Sequence, residues 1–324
     1  MTAEEDFDPD YSPRIVILGA GPIGLEAALY ARYLGYDVAV VEREHVASNV
    51  RQWGHVRMFS PFAMNRSSLG VAALRAQSED MSLPADDVLL TGEEFATQYL
   101  IPLSQSDLLS GCIHEQVEVL RVGRDGILKT DPQPGTELDR SEFRFRVLVR
   151  LASGEEDVID ADAVIDTTGV FNKPNFLGHG GTPAVGELAC REHIESQVPD
   201  VLGSARAKFE DKRVLVIGSG YSAATNIVAL AELVKASDTK VTWVTRRESA
   251  GAGPIPITDT DSLPARSELA KAANAAAVEK FDQTSILKIE RDAGSGKFTV
   301  TLGGKANGEH EFDAVIANLS LIHI

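Results

Sequence analysis

The sequence predicts an α/β fold built of two Rossmann-like, three-layer FAD/NAD(P)-type dinucleotide-binding domains. Three observations point there. A strand, a glycine-rich turn, a helix and a second strand follow one another from Arg14 to Arg43. The same order returns from Arg213 to Arg247. Each half then reaches short strands and the identical tetrapeptide Asp-Ala-Val-Ile, at 162–165 and at 313–316.

In the first unit, Ile15-Val16-Ile17-Leu18 reads as a buried strand and leads into Gly19-Ala20-Gly21-Pro22-Ile23-Gly24. A helical run follows through Leu25, Ala28, Leu29 and Ala31, then the strand Val38-Ala39-Val40-Val41, ending at Glu42. Gly19 permits the tight turn, Gly21 lets a pyrophosphate approach the backbone, and Gly24 lets helix and strand pack closely. Phosphates then sit at the helix N-terminus, where unpaired N–H groups and the positive dipole end favour negative charge. Gly19, Gly21, Pro22 and Gly24 are the candidate phosphate-binding residues. Glu42 lies roughly 20 residues on, where a carboxylate accepts from ribose hydroxyls and repels a 2′-phosphate. This site should take FAD or NAD rather than NADP, with Arg43 beside it.

The chain has 324 residues, more than one domain usually holds, so two are expected. Hydrophobic residues make up 44%, enough for ordinary cores. A formal net charge of −17 disfavours nucleic acid or an anionic membrane as partner and reads as acids coating the surface of a soluble protein. No run reaches the length of a membrane span, and the N-terminus carries Glu4, Glu5, Asp6, Asp8 and Asp10 in place of a basic signal region. A cytoplasmic protein with a disordered acidic tail over 1–12 is expected. Cys112 and Cys190, the only cysteines, form no C-x-x-C pair and no metal site, and read as reduced, packed side chains.

After Glu42, Arg51-Gln52-Trp53-Gly54-His55-Val56-Arg57-Met58-Phe59 is rich in cations and aromatics and has no clear period. Such a loop either lies over the flavin or its pyrophosphate, with Arg51 or Arg57 offsetting phosphate charge, or is a packed connector with Trp53 and Phe59 in the core. His55 reads as a structural histidine before a proton donor. A helix is expected over 92–101, and strands over 116–121 and 143–151. Pro174 and the glycine-rich Gly178-His179-Gly180-Gly181 mark a linker, taken as 176–210.

The second unit repeats the first with a different ending. Val214-Leu215-Val216-Ile217 is a buried strand and Gly218-Ser219-Gly220-Tyr221-Ser222-Ala223 the turn, with alanine at the third small position. Gly218, Gly220, Ser222 and Ala223 are its candidate cofactor residues. Where the first unit ends in Glu42, this one ends in Thr245-Arg246-Arg247. Guanidinium forks suit a 2′-phosphate, so this site should prefer NADP(H). A helix is expected from 267 to 278, and strands over 285–289, 297–302 and 312–317.

These motifs resemble the two-dinucleotide-binding-domain flavoproteins, the group of flavin-containing monooxygenases, Baeyer–Villiger monooxygenases and thioredoxin reductases. The resemblance covers nearly the whole chain. It implies an NADPH domain inserted into an FAD domain: FAD domain 13–175, linker 176–210, NAD(P)H domain 211–310, and a return to the FAD domain from 311. It adds Thr168 and Gly169 as cofactor residues, because Thr167-Thr168-Gly169 stands where the family has Ala-Thr-Gly. Phe176-Leu177-Gly178-His179 begins like the monooxygenase signature FxGxxxHxxx(W/D), although its histidine directly follows the second small residue. Thr245-Arg246-Arg247 looks like the His-Arg-Arg of thioredoxin reductases, whose cysteine pair is missing here. The implied activity is hydride transfer from NADPH to FAD, as in a monooxygenase acting on a small molecule. The alternatives are a reductase without redox cysteines and a non-enzymatic redox sensor. No residue is assigned as general acid or base. The second Asp-Ala-Val-Ile does not run on to a glycine, and Leu319-Ser320-Leu321-Ile322-His323-Ile324 resembles an in-frame transposon mosaic-end adapter. The family pattern therefore leads to the expectation that the chain is a fragment with a non-native end at 319–324.

Overall fold

The structure, a computed structural model, describes residues 12–78, 81–131, 139–249, 253–257 and 260–319. The tail expected through residue 12 falls outside them up to residue 11, as do residues 320–324 of the terminal hexapeptide. The chain divides into two compact units, Met1–Gly169 and Val170–Ile324.

In the first unit, β1 (Arg14–Leu18) leads through the glycine turn into α1 (Pro22–Tyr33) and β2 (Asp37–Val41). β1 and β2 pair in parallel from Arg14↔Asp37 to Leu18↔Val41. Valine and isoleucine dominate because both faces are covered, and Val16, Ile17 and Val40 are wholly buried. Each such side chain stabilises the sheet by about 1.5–3 kcal/mol relative to exposure. The chain then leaves the sheet through α2 (Ser48–Gln52), α3 (Phe62–Asn65), α4 (Ser68–Gln77) and α5 (Gly92–Phe95). One π-helical turn, Ala96–Leu100, joins α5 to α6 (Ile101–Ser104). The expected helix over 92–101 is thus one helical run with a wide turn inside it. Thr91 starts it, its hydroxyl accepting from Glu94 N (3.2 Å) while Thr91 N donates to the Glu94 carboxylate (2.7 Å). The π turn directs Tyr99 inward, where it is fully buried and donates to Glu26 on α1 at 2.6 Å.

β3 (Ile113–His114) then joins β2 in parallel. An antiparallel sheet of β4 (Glu118–Arg124), β5 (Phe145–Arg150) and β6 (Glu156–Ala161) follows, and β7 (Ala163–Asp166) returns beside β1. The parallel sheet has the order β3-β2-β1-β7.

The second unit repeats this plan. The stretch over 176–210 differs from the linker expected there, because it is packed into this unit. Leu177, Ala184 and Cys190 lie in its core, and Glu187, at the start of α7 (Glu187–Cys190), is buried. The Glu187 carboxylate accepts from Leu177 N (2.9 Å), Ala184 N (2.8 Å) and the Arg191 guanidinium (2.8 Å), which satisfies it without water. Next come β8 (Arg213–Ile217), α8 (Tyr221–Ala236), β9 (Lys240–Val244), α9 (Pro264–Ala275) and β10 (Glu279–Phe281). The antiparallel β11 (Thr284–Arg291), β12 (Phe298–Gly304) and β13 (Gly308–Phe312) follow, and β14 (Ala314–Ala317) returns beside β8. The order β10-β9-β8-β14 matches that of the first sheet. The internal repeat is therefore a repeat of topology.

Candidate functional site

Each parallel sheet ends in a glycine turn whose backbone is held on all sides. In the first unit Gly19 has φ +100°, a conformation that favours glycine, and its N–H donates to Val41 O on β2 (2.8 Å). At Gly24 a Cβ would stand 1.9 Å from Gly19 O, so α1 can sit this close to the turn only without a side chain there. Gly21, the N-cap of α1, is different. A Cβ on it would meet nothing within 4 Å, so this glycine is not required by the packing around it. Pro22 follows at the first helical position, where its missing N–H costs nothing and its φ suits the helix.

Glu42 is half-buried and reaches this turn. One carboxylate oxygen accepts from Ala20 N (2.8 Å), the other from Glu44 N (2.9 Å). Arg43 is exposed and lies 3.4 Å from Glu44, lining a pocket of about 450 Å³ with Glu44, His45, Gln116, Glu118 and Arg150. Arg51 faces elsewhere. It pairs with Glu93 at 3.3 Å, which couples α2 to α5, and Arg57 pairs with Glu94 at 3.7 Å. Trp53 packs against the core, as in the connector reading of this loop, whereas Phe59 is half-buried outside that core cluster and His55 is exposed.

Thr167 went unassigned in the sequence. Its hydroxyl donates to Leu18 O (2.7 Å) and Gly19 O (3.1 Å), and its N–H to Leu18 O (3.0 Å), so it clamps the turn from the β7 side. Its place immediately after a repeated strand was the one available signal. The assigned Thr168 is exposed and bonds Asp166, and Gly169, at φ +64°, closes the unit.

The second turn is built alike. Gly218 has φ +129°, and a Cβ there would lie 2.2 Å from Asn318 O. Asn318 occupies the position of Thr167, and its N–H donates to Ile217 O (2.8 Å). Trp243, wholly buried on β9, donates its indole N–H to Gly218 O at 2.7 Å. Gly220 caps α8 and, like Gly21, would present a Cβ to open space. Ala223 is fully buried where the first unit requires glycine, whereas Ser222 is exposed. Beyond β9, Thr245 is buried and bonded into the sheet, its N–H donating to Phe281 O (2.9 Å). Arg246 and Arg247 are exposed at the carboxyl edge of the sheet, and neither guanidinium pairs with a carboxylate among the described residues.

Both cysteines are buried. Burial pushes the Cys112 thiol up, and burial together with the nearby Glu187 charge pushes Cys190 up, which disfavours thiolate chemistry at either.

Residues 16–129 match the family model described as pyridine nucleotide-disulphide oxidoreductase. No curated protein sequence matches significantly. Among solved structures, the bacillithiol disulfide reductase of Bacillus cereus is 17% identical, with a TM-score of 0.64 over 95% of this chain and 77% of that one. The FAD-bound cadaverine monooxygenase of desferrioxamine biosynthesis from Erwinia amylovora is 15% identical, with a TM-score of 0.62 over 96% and 78%. A flavin-containing monooxygenase from Stenotrophomonas maltophilia is 20% identical, with a TM-score of 0.58 over 95% and 78%. The fold is that of the two-dinucleotide-binding-domain oxidoreductases. In a chain of this fold, the two glycine turns stand at the carboxyl ends of parallel strands, where ligands of open α/β sheets bind. Among the described residues no helix is long and apolar enough to cross a membrane.

Proposed function

We propose that the protein is an oxidoreductase that binds FAD at the first glycine turn and NADP(H) at the second, and serves a small-molecule substrate. The observation that carries this reading is one exchange between two otherwise matching units. At the end of β2 stands Glu42, directed to its turn, and at the end of β9 stand Arg246 and Arg247, exposed and without carboxylate partners among the described residues. A carboxylate accepts from ribose hydroxyls, whereas paired guanidinium groups suit a 2′-phosphate.

The residues present fit both groups. Gly21 and Gly220 leave the space a Cβ would fill beside each turn, and the first amides of α1 and α8 have no acceptor within their own helix. When bound, the flavin supplies the hydride-accepting ring, and the chain's contribution is to hold donor and acceptor. Thr167 and Trp243 fix the turn carbonyls, so the phosphate-facing amides are oriented beforehand.

Between a monooxygenase and a thiol-based disulfide reductase, the monooxygenase reading is favoured by the burial of both cysteines and the upward displacement of their thiols. The experiment is reduction of the purified, flavin-loaded protein by NADPH and by NADH, first without oxygen and then in air with candidate amines and sulfides. Flavin bleaching by NADPH, followed by oxygen incorporation into a product, supports the full reading. Bleaching with turnover only on an artificial acceptor supports a reductase. Binding without bleaching leaves a redox sensor in its place.

A further inference from the structure

Arg266 lies in the first turn of α9, with its guanidinium group between Asp261, at 3.8 Å, and the ring of Tyr221. β8, β9 and β10 are parallel, so α8 and α9 both begin at the same carboxyl edge of the sheet. That is also the edge where Arg246 and Arg247 emerge. A cation in the first turn of a helix meets the positive end of its dipole, and here the first residue of a second helix is close by. The Arg266 guanidinium carbon stands 5.7 Å from the ring centroid of Tyr221, the residue that opens α8 directly after Gly220.

One hydrogen-bonding group of Arg266 is unspent, although its side chain is 40% exposed. Its Nε is buried and has no hydrogen-bond partner among the described residues. Its ion pair is with Asp261, at 3.8 Å, beyond hydrogen-bonding distance, and that same Asp261 oxygen already accepts from Leu263 N at 2.9 Å. A guanidinium offers five donors in a fixed fork, and a buried donor without an acceptor is costly. Three arginines thus stand on one sheet edge, two of them without a carboxylate partner among the described residues and the third paired with Asp261.

We infer that Arg266 is the pyrophosphate-binding cation of the second dinucleotide site, acting on the part that NADPH and NADH share, while Arg246 and Arg247 act on the 2′-phosphate. The inference rests on reading that site as a nicotinamide dinucleotide site. The division of labour follows from position. The pyrophosphate lies at the glycine turn and the start of its helix, which is where Tyr221 holds Arg266, and the ribose lies at the strand end, where Arg246 and Arg247 are. The cation–π contact with Tyr221, at 5.7 Å, keeps the guanidinium group beside the start of α8.

The test is calorimetric titration of NADPH and of NADH onto the full chain, with circular dichroism to establish folding. Arg266→Ala should weaken both dinucleotides by the same factor, roughly tenfold, as loss of one charge-assisted contact implies. Arg266→Lys, which keeps the charge and loses the fork, should weaken both by a smaller common factor. If Arg266→Ala folds and binds both as the unaltered chain does, Arg266 only packs on Tyr221 and the inference fails. Weakening of NADPH alone overturns it too, because the residue would then act on the 2′-phosphate. Should the alanine variant not fold, Arg266→Lys decides by the same comparison, and unchanged binding of both overturns the inference. An unaltered, folded chain that binds neither dinucleotide removes the reading of the second site, and this inference with it.

Discussion

Asp162 holds Arg14 by its backbone from both sides: the Asp162 carboxylate accepts from Arg14 N at 2.7 Å, and Asp162 N donates to Arg14 O at 2.8 Å. Asp313 does the same to Arg213, at 2.8 Å for each bond. The two Asp-Ala-Val-Ile copies thus begin with the residue that sets the register between the returning strand and the first strand of its sheet. Ala163 then faces Ile15, Ala314 faces Val214, and the chain emerges at Thr167 or Asn318 beside the glycine turn. A contact at one end of the sheet therefore positions a residue at the other, where the proposed cofactors bind.

Asp162→Ala should remove the hydrogen bond from Arg14 N, leaving that N–H unpaired, together with the exposed ion pair between Asp162 and Arg144 at 3.0 Å. A loss of about 1 kcal/mol is expected for this partly buried contact, and less for Asp313→Ala, which is more exposed. Urea denaturation of each variant measures this, and an effect at Asp313 larger than at Asp162 would contradict the ranking.

The second and third glycines of the first turn, Gly21 and Gly24, should fail in different ways. In Gly24→Ala the new Cβ would stand 1.9 Å from Gly19 O, which forces α1 away from the turn and lowers both stability and flavin content. In Gly21→Val the added atoms enter space that no protein atom occupies within 4 Å of the Cβ position. That variant should melt close to the unaltered chain and purify without flavin. Flavin retained at the unaltered ratio in Gly21→Val would end the assignment of this turn.

The core of each dinucleotide unit was legible because its signals are local: a run of β-branched residues, a fixed glycine spacing, a helical period, and an acid or a pair of arginines at the next strand end. What escaped depends on partners far along the chain. Thr167 acts on a turn 149 residues before it, so nothing around it marks its role. Arg51 has the composition of a phosphate ligand, yet Glu93, 42 residues on, determines where it faces. The glycines and prolines over 176–210 look like a linker until Glu187 is seen buried with three donors around it. β3, only two residues long, is held by β2 and carries no pattern of its own.

Neither cysteine should take part in turnover. The double variant Cys112→Ala and Cys190→Ala should keep its rate of NADPH oxidation, and iodoacetamide should label the native chain slowly at neutral pH. The raised thiols also fix a pH dependence. The folded chain keeps these protons to higher pH than the unfolded chain does, so their contribution is constant below the ordinary thiol range and is lost as pH rises through the raised values. Denaturation midpoints from about pH 7 to 10 should fall only at the alkaline end, and the alanine variant should lose that part of the fall.

Coenzyme choice is the sharpest consequence of the exchange between Glu42 and the arginine pair. Arg246 and Arg247 are exposed and have no carboxylate partner among the described residues, so replacing them leaves no buried charge stranded and should not disturb folding. Each charge-assisted contact to a 2′-phosphate is worth about 1.5–3 kcal/mol. Arg246→Ala with Arg247→Ala should therefore weaken NADPH roughly a hundredfold or more while NADH, which lacks that phosphate, changes little. Titration of both coenzymes against the same protein preparation measures the ratio. Equal weakening of the two would mean the pair acts through the general potential of the sheet edge, and the preference would have to be sought in residues other than these.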